Sequence, residues 1–392
     1  MNNHGPVLVI GTIDTKKQEI DYLVRCLEIL NCEVRLLDTS LDPVNKAMDD
    51  KQKLQTIESV VSASLHVVQQ WVGSGDVKAV IGLGGGIGTW ISLGIIHRLP
   101  LGLPKVLIST LPFDVREFTA KTDIVVIPAV VDILGLNSIL RMVFRKAATI
   151  IEGLLTQTDP EEEPKPAIGL TALGVTNTAV RNAQQIFEKK GFEIATFHAN
   201  GWGGTAFEEC IASGIFEGVL DLTTTEVAAL LFGGVIKPAS GRLESAVRSG
   251  VPQVVAPGGI SFVTRGPLES LNQLDKQRLF YRHSPSFTHV RLTKEELCRV
   301  AVLMAEKLNQ AVGPVAVALP MQGFSSEDRV GGAIYDIEGN EGFSRALKAS
   351  LRPSIPVVEV DAHINDRIFV SKASDLLLEM LNASNRILGK QE

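Results

Sequence analysis

The sequence predicts an α/β protein built from mostly parallel sheets. Short apolar, β-branched runs alternate along the chain with longer segments whose apolar residues recur at helical spacing. Strands that are separated by helices pair in parallel through crossover connections. The chain has 392 residues, more than one hydrophobic core usually holds, so we expect two such lobes.

The first half of the chain alternates strands and helices from its start. Apolar runs predict strands at residues 7–10, 33–38, 105–110 and 124–131, and a further strand in 77–89 ahead of its glycines. Helical spacing of apolar residues predicts helices at 20–30, 54–72, 89–97 and 136–155. Thr15 and Gln18 have the spacing of a capping box at the start of the first helix.

Residues 157–166 predict a linker, because they contain three prolines, four acidic residues and no apolar side chain. This segment separates an N-terminal lobe, residues 1–156, from a C-terminal lobe, residues 167–392. The second lobe opens with the same strand–loop–helix–strand order as the first. Its predicted strands lie at 167–172, 192–198, 218–222, 253–256, 288–292, 315–319 and 357–360, and its helices at 176–190, 225–231, 294–309, 341–351 and 372–385.

Composition and charge exclude several classes of function. The net charge is −6 and no long basic run is present, which argues against nucleic acid as a partner. Residues 79–96 carry no charge but contain six glycines, so we interpret them as strand, loop and helix rather than a membrane span. The chain start lacks the pattern of a signal peptide, and its four cysteines include no CxxC pair. We therefore expect a cytoplasmic protein that binds neither nucleic acid nor membrane.

Two glycine-rich loops follow predicted strands and precede helical patterns. Glycine lets the backbone approach a ligand closely, and a helix start offers unpaired N–H groups to a phosphate or carboxylate. The candidate binding residues are Gly84, Gly85, Gly86, Gly88 and Thr89 in the first loop and Gly201, Gly203, Gly204 and Thr205 in the second. The first loop lacks the P-loop lysine and the GxGxxG spacing, so backbone amides and the Thr89 hydroxyl would bind the anion. The alternative is that both loops are tight turns without a ligand.

The loop after the first strand contains Asp14 and Lys16. Asp14 can hold a metal ion or a ribose hydroxyl, and Lys16 can meet a phosphate. The simpler alternative is a capped helix start with a surface lysine, since Asp and Thr are usual capping residues.

Two further groups of polar residues suggest chemistry in the second lobe. Thr223, Thr224 and Thr225 place three hydroxyls at a strand end, enough to bind a polar ligand or a hydrated Mg²⁺. His198 ends another strand, and Glu226 could form a general acid–base pair with it if the two strands are neighbours. The alternative for His198 is a structural hydrogen bond.

Together these motifs resemble the Tm-one-like ATP-binding domain family, which comprises the N-terminal domain of a plant tobamovirus-resistance protein and its bacterial relatives. The resemblance spans nearly the whole chain. It rests on GTIDTK at 11–16, GLGGGIGT at 82–89, LPLGLPKVLIST at 99–110, DILGLN at 132–137, GVTNTAV at 174–180, FHANGWGG at 197–204, VLDLTTTE at 219–226 and IND at 364–366. It implies two Rossmann-like lobes, ATP binding and a homodimer. The plant member carries a further barrel-like domain, so a separately encoded barrel-type partner is also a candidate.

The sequence departs from this family at two positions of interest. Trp202 stands in the second glycine loop where relatives usually have a small residue, and it would narrow a pocket or stack on a ring. Arg265 adds a positive charge where relatives have a DMVNF-like segment. Both departures would allow a ligand that differs from the family's.

The leading functional hypothesis is a protein that binds ATP or a related nucleotide, with Mg²⁺ as a candidate metal ion. Residues 84–89 and Lys16 would bind the phosphates, and a second small ligand, a carboxylate or a phosphorylated metabolite, would lie in a cleft between the lobes. One alternative is a nucleotide-independent hydrolase or lyase that uses His198 and Glu226. Another is a regulatory module that binds a nucleotide and catalyses nothing.

Overall fold

A computed structural model of the chain describes residues 5–41, 49–157, 165–237, 239 and 241–387. Two units can be separated by their internal contacts, Met1–Glu162 and Glu163–Glu392. Most of the predicted linker at 157–166 lies outside the described residues, so its conformation stays a prediction. The α/β class with mostly parallel sheets is confirmed in both units.

The N-terminal unit contains one parallel sheet of five strands in the order β2-β1-β3-β4-β5. Its strands are β1 (Pro6–Gly11), β2 (Glu33–Asp38), β3 (Ala79–Gly84), β4 (Lys105–Ser109) and β5 (Val125–Pro128). Its helices are α1 (Ile13–Ile29), α2 (Asp50–Ser74), α3 (Gly86–Ile96), α4 (Arg116–Thr119) and α5 (Ser138–Thr156).

Successive residues of β1 pack into hydrophobic clusters on opposite faces of this sheet. Val7 and Val9 of β1 pack in the core that includes the apolar faces of α1 and α5. Leu8 and Ile10 pack on the opposite side with residues of α2 and α3. Side chains alternate across a strand, and a parallel sheet covered on both faces needs apolar residues at every position. This requirement explains the continuous apolar runs from which the strands were predicted.

The C-terminal unit contains a parallel sheet of six strands in the order β14-β13-β9-β8-β6-β7. These strands are β6 (Ala167–Ala172), β7 (Glu193–His198), β8 (Phe216–Thr223), β9 (Gln253–Gly258), β13 (Val315–Pro320) and β14 (Val357–Val360). The helices are α6 (Asn177–Glu188), α7 (Trp202–Ala212), α8 (Thr225–Phe232), α9 (Ser245–Ser249), α10 (Gln273–Lys276), α11 (Lys294–Leu308), α12 (Ile337–Ser350) and α13 (Arg367–Ile387).

The two parallel sheets share one connectivity. If the strands of each sheet are numbered by their order in the chain, both sheets have the spatial order 2-1-3-4-5. In the C-terminal sheet this order is β7-β6-β8-β9-β13, and β14 follows as a sixth strand. The similar openings of the two halves, noted in the sequence, are thus followed by the same strand order. In this comparison β8 corresponds to β3, whereas β7 corresponds to the edge strand β2.

A second, antiparallel sheet in the C-terminal unit was not predicted. It consists of β10 (Phe262–Arg265), β12 (Thr288–Arg291) and β11 (Phe280–Arg282), in that order. The strand predicted at 288–292 exists, but it pairs here and not with the parallel strands. Its neighbours have only three or four residues each, too few to give a periodic pattern.

Helix starts differ most from the sequence-based prediction. α1 begins at Ile13, with Thr12 as its N-cap and no side-chain capping bond, so the capping box predicted at Thr15 and Gln18 is wrong. α3 begins at Gly86 rather than Thr89. Within the described residues, no helix is long and apolar enough to cross a membrane.

Close contact between β3 and α3 requires glycine at position 84. A Cβ atom added to Gly84 would lie 2.6 Å from the Cα of Gly88. The strand can therefore turn directly into the helix only where residue 84 carries no side chain. By contrast, a Cβ at Gly73, within α2, would have no atom within 4 Å.

We predict that Gly84→Ala lowers the free energy of unfolding by about 1–3 kcal/mol, because backbone atoms must move apart to admit the methyl group. Gly73→Ala is the matched control and should raise it by up to about 1 kcal/mol through helix propensity. Urea unfolding followed by circular dichroism measures both. Equal stability of the two variants would contradict the close contact.

Candidate functional site

The strand order of the N-terminal unit reverses between β1 and β3. The chain passes from β1 to the edge strand β2 on one side, whereas β3 is followed by β4 and β5 on the other. Ile10 and Gly82 are paired across β1 and β3, so the loops after these strands leave the same edge side by side. Ligands of parallel α/β sheets bind at such a reversal, beyond the carboxyl ends of the strands. Two loops selected from the sequence, residues 11–16 and 84–89, meet there.

The start of α3 has no protein cap. Its N-cap residue is Gly85, and no side chain of the described residues makes a capping hydrogen bond there. Gly86 is exposed, and a Cβ added to it would meet no atom within 4 Å. A helix start carries unpaired N–H groups and partial positive charge. Gly86 is thus accessible at a helix start, the kind of position at which anions bind.

The neighbouring start of α1 is capped by the protein itself. The Ile13 N–H donates to Asp38 Oδ1 at 3.1 Å, and the Asp14 N–H donates to Ser40 Oγ at 3.0 Å. Burial alone would raise the pKa of Asp38, but the hydrogen bonds from Ser40 and Ile13 outweigh it and lower that pKa below its usual value. Of the two helix starts at this edge, α3 is the one left to an external acceptor.

Asp14 and Lys16 both lie in the first turn of α1. The Asp14 side chain is exposed. Lys16 Nζ donates to the carbonyl of Ile133, in the loop after β5, and Glu19 Oε1 accepts from the Gly135 N–H at 2.6 Å. These bonds fasten the loop after β5 to α1, so Lys16 already has a structural role, and its contact with a phosphate stays a prediction.

Thr89 lies inside α3 and not at its start. It is fully buried, and its hydroxyl donates to the carbonyl of Gly84 at 3.0 Å. The same oxygen lies 2.7 Å from Ser109 Oγ, which also accepts from the Leu111 N–H at 2.9 Å. The hydroxyl thus holds the glycine turn from within, and an anion at this loop would meet backbone amides.

The second glycine loop contrasts with the first because a buried carboxylate occupies the start of α7. Glu226 Oε1 accepts from the Gly201 N–H at 2.5 Å and from the Gly204 N–H at 3.2 Å. The Gly203 N–H donates to Asn200 Oδ1 at 3.0 Å, and Thr205 Oγ1 donates to the Gly201 carbonyl at 2.8 Å. An external anion would have to displace Glu226, so a ligand at this loop stays a prediction.

Glu226 belongs to a buried cluster around Arg242. The guanidinium lies 2.6 Å from Glu226, 2.8 Å from Asp221 and 2.9 Å from Glu208, and Arg242 and Glu226 are both 0% exposed. Desolvation raises the pKa of Glu226 above its ordinary 4.5, because Arg242 and the Gly201 amide offset only part of the cost of burial and the Asp221 charge adds to it. One guanidinium group thus forms salt bridges with three carboxylates.

The threonines after β8 also form internal hydrogen bonds. Thr223 Oγ1 lies 2.8 Å from Thr176 Oγ1, and Thr224 Oγ1 donates to the Ala256 carbonyl at 3.0 Å. Thr225 is 2% exposed. Their binding of a polar ligand or a hydrated Mg²⁺ stays a prediction, and the described residues contain no group of three or more His, Cys, Asp or Glu side chains placed to hold a metal ion.

His198 ends β7, the edge strand, and its side chain is exposed. β7 pairs with β6, and β6 separates it from β8, which leads to Glu226. Among the described residues no hydrogen bond or ion pair joins His198 to Glu226. The acid–base pair therefore stays a prediction without a contact to support it.

Both departures from the family pattern have partners within the chain. The Trp202 ring lies beneath the ammonium of Lys237, 4.2 Å from the ring centroid, a cation–π geometry. Arg265 Nε donates to Asp275 Oδ2 at 3.0 Å and its Nη1 to the Phe232 carbonyl at 3.2 Å. These contacts within the chain explain the positions of both side chains without a ligand.

Sequence reasoning missed Arg242 and the strand-end residues Leu111 and Val130. Arg242 lies in a segment of turns that has no periodicity, so no local pattern marked it as buried. Val130 falls inside the strand predicted at 124–131, and Leu111 directly follows the strand predicted at 105–110, so neither residue was singled out. In the structure they have positive φ angles, +50° and +69°, which composition does not reveal.

Comparisons with known proteins agree with the sequence motifs. Models of the uncharacterised protein family UPF0261 match residues 42–160 for its N-terminal domain and 165–381 for its C-terminal domain. A UPF0261 protein of Clostridium tetani is 32% identical, with 96% of this chain and 98% of that protein covered. The tomato (Solanum lycopersicum) ToMV resistance protein Tm-1 is 34% identical over 80% of this chain and 43% of its own length. The resemblance inferred from the motifs is confirmed.

Similarity to solved structures adds little. A glycosyltransferase of Streptomyces sp. SF2575 complexed with thymidine diphosphate is 14% identical, with 65% of this chain and 82% of that chain covered and a TM-score of 0.19. A score that low supports no inference about a ligand.

Removing the Glu226 carboxylate should cost stability. We predict that Glu226→Ala lowers the free energy of unfolding by about 3 kcal/mol, because two loop amides and Arg242 Nε lose their acceptor in a buried site. Glu359→Ala is the control. Glu359 pairs with Lys348 at 2.6 Å on the surface, and its loss should change stability by less than about 1 kcal/mol. Similar urea midpoints for the two variants would contradict this structural role.

The raised pKa of Glu226 gives a pH dependence with a defined sign. The folded chain retains the Glu226 proton at pH values where the unfolded chain has released it, so this residue's contribution to stability decreases as the pH rises above about 4.5. Glu226→Gln cannot titrate. We expect the unfolding free energy of the wild type minus that of Glu226→Gln to fall between pH 4 and pH 8, measured by urea unfolding. A constant or rising difference would show that the pKa is not raised.

Proposed function

This chain belongs to the UPF0261 family, and on that premise we propose that it binds ATP or a related nucleotide at the carboxyl edge of its N-terminal sheet. ATP is the ligand implied by the motifs that resemble the Tm-one-like ATP-binding family. The observation that carries the proposal is the uncapped start of α3 at the reversal between β1 and β3. Anionic ligands bind at such positions in α/β folds.

The shape of the first glycine loop suits a phosphate group. Gly84 of β3 lies against Gly88 of α3, since an added Cβ would come within 2.6 Å of the Gly88 Cα, and Gly85 alone separates the strand from the helix. Gly85 and Gly86 leave the approach clear, since an added Cβ would meet only Thr110 Oγ1 at 4.0 Å in the first case and nothing in the second. Backbone amides and the helix terminus bind phosphate without a lysine.

A magnesium ion would accompany the phosphates. Mg²⁺ in nucleotide sites keeps several waters and is held by the phosphates and one or two carboxylates. Asp14 is the exposed carboxylate in the first turn of α1, the helix that follows the adjoining strand β1, so we assign it this role in the proposal. A reaction of the nucleotide with a small carboxylate or phosphorylated metabolite is a further hypothesis, which nucleotide binding alone does not require.

A self-capping variant tests the proposal. Gly85→Asp places a carboxylate at the N-cap of α3, where there is room for it. We expect a small stability gain of about 0.2–0.5 kcal/mol, because glycine is itself a tolerated N-cap residue, together with at least a tenfold loss of ATP affinity, since about 1.4 kcal/mol of charge repulsion suffices for that. Titration calorimetry with ATP, with and without Mg²⁺, measures the affinity.

Gly85→Ala is the matched control, because it fills the same space without a charge. It should retain most of the ATP affinity. The proposal fails if the wild-type chain binds no nucleotide, or if Gly85→Asp binds ATP as tightly as Gly85→Ala does.

A further inference from the structure

The sheet edge that begins at the glycine loop continues across the ends of β4 and β5. Gly84 pairs with Ser109 of β4, and Ser109 pairs with Pro128 of β5. Two residues beyond these last positions lie Leu111 and Val130. Leu111 is 40% exposed and Val130 is 76% exposed, so each strand end presents an apolar side chain to solvent.

Both residues have a left-handed backbone that apolar side chains rarely adopt. The φ angle is +50° at Leu111 and +69° at Val130. For a β-branched residue such as valine this conformation is an outlier, and glycine or asparagine would adopt it at lower cost. Exposed side chains gain little from folding. Val130 thus has little burial to compensate its strain, and Leu111 has only partial burial. Such strain is common where a segment binds a ligand.

The conformation of Leu111 is coupled to the glycine loop by buried hydroxyls. Thr89 gives its one hydroxyl proton to the Gly84 carbonyl, so Ser109 must donate to Thr89. Ser109 Oγ in turn accepts from the Leu111 N–H. This relay holds the glycine turn and the end of β4 in a fixed relation, which a ligand touching both would need.

The spacing of the strands fits the dimensions of a nucleotide. Neighbouring strands lie about 4.8 Å apart, so the ends of β3 and β5 are separated by about 10 Å. That distance suits a ligand whose phosphates lie at the start of α3 and whose base reaches across the ends of β4 and β5. An apolar surface beside an anion site matches the chemistry of a ligand with a charged and an apolar end.

We infer that the base of the bound nucleotide packs against Leu111 and Val130, which together form an apolar platform at the ends of β4 and β5. This inference rests on the proposed nucleotide binding and specifies which residues contact the uncharged end of the ligand. Phosphate contacts would then supply affinity for any polyphosphate, and the platform would supply the preference for a nucleotide.

The test compares ATP with inorganic triphosphate, which has the charge and lacks the base. Leu111→Asn and Val130→Asn remove the apolar side chains and keep a residue that tolerates positive φ. We expect each variant to lose ATP affinity about fivefold, with unchanged affinity for triphosphate, in titration calorimetry on the full chain. Val330→Asn is the control, because Val330 is 79% exposed in the C-terminal unit, and it should bind both ligands as the wild type does.

Thermal unfolding of the two platform variants should be unchanged or shifted upward, since asparagine relieves the backbone strain. The inference is overturned if the wild type binds ATP and triphosphate equally, or if the platform variants weaken both ligands alike. Those results would leave nucleotide or phosphate binding at the glycine loop intact. Failure of the wild type to bind ATP at all would overturn the proposed function and this inference together.

Discussion

The N–H groups at a helix start need hydrogen-bond acceptors, and the source of these acceptors differs among the helices of this chain. α1 receives its acceptors from Asp38 and Ser40, and α7 receives a carboxylate oxygen of Glu226. No side chain in the described part of the chain caps α3. Because the partial charge at a helix start is the same in all three cases, the difference lies in what the rest of the chain places in front of it. Of these three helices, α3 is the one at whose start no side chain of the described residues takes that place, and it lies at the reversal point of a sheet.

The glycines of the two loops consequently serve different purposes. A Cβ at Gly203 would lie 2.0 Å from the His198 carbonyl oxygen, and one at Gly204 would lie 2.1 Å from Glu226 Oε2. Those residues are small because the chain itself fills the space. Gly85 and Gly86 border open space, so packing within the described residues does not explain them. The same residue type thus marks an internal contact in one loop and an accessible backbone in the other.

This distinction also limits what the sequence could predict. The central strands of both parallel sheets were found because burial on two faces forces continuous apolar runs, as at Val7 to Ile10. The cap on α7 could not be found, because it comes from Glu226, in a different helix, and from the buried Arg242 beside it. The start of α3 was misplaced since threonine is a frequent cap, whereas Thr89 bonds inward to Gly84. Local patterns specify elements, but the identity of a hydrogen-bond partner depends on tertiary structure.

The shared strand order makes the contrast between the two units informative. In the C-terminal unit the corresponding edge is closed, because the Ser326 N–H donates to the Val175 carbonyl and the Gly259 N–H donates to the Phe324 carbonyl. These bonds bring the loop after β13 across the ends of β6 and β9. Among the described residues, equal topology therefore gives an edge crossed by a loop in the C-terminal unit and an uncapped helix start in the N-terminal unit, so the connecting segments and not the fold decide which edge can bind. The fold alone would predict a ligand site in both units. The uncapped start of α3 and the strained residues just beyond β4 and β5 are what favour the N-terminal unit.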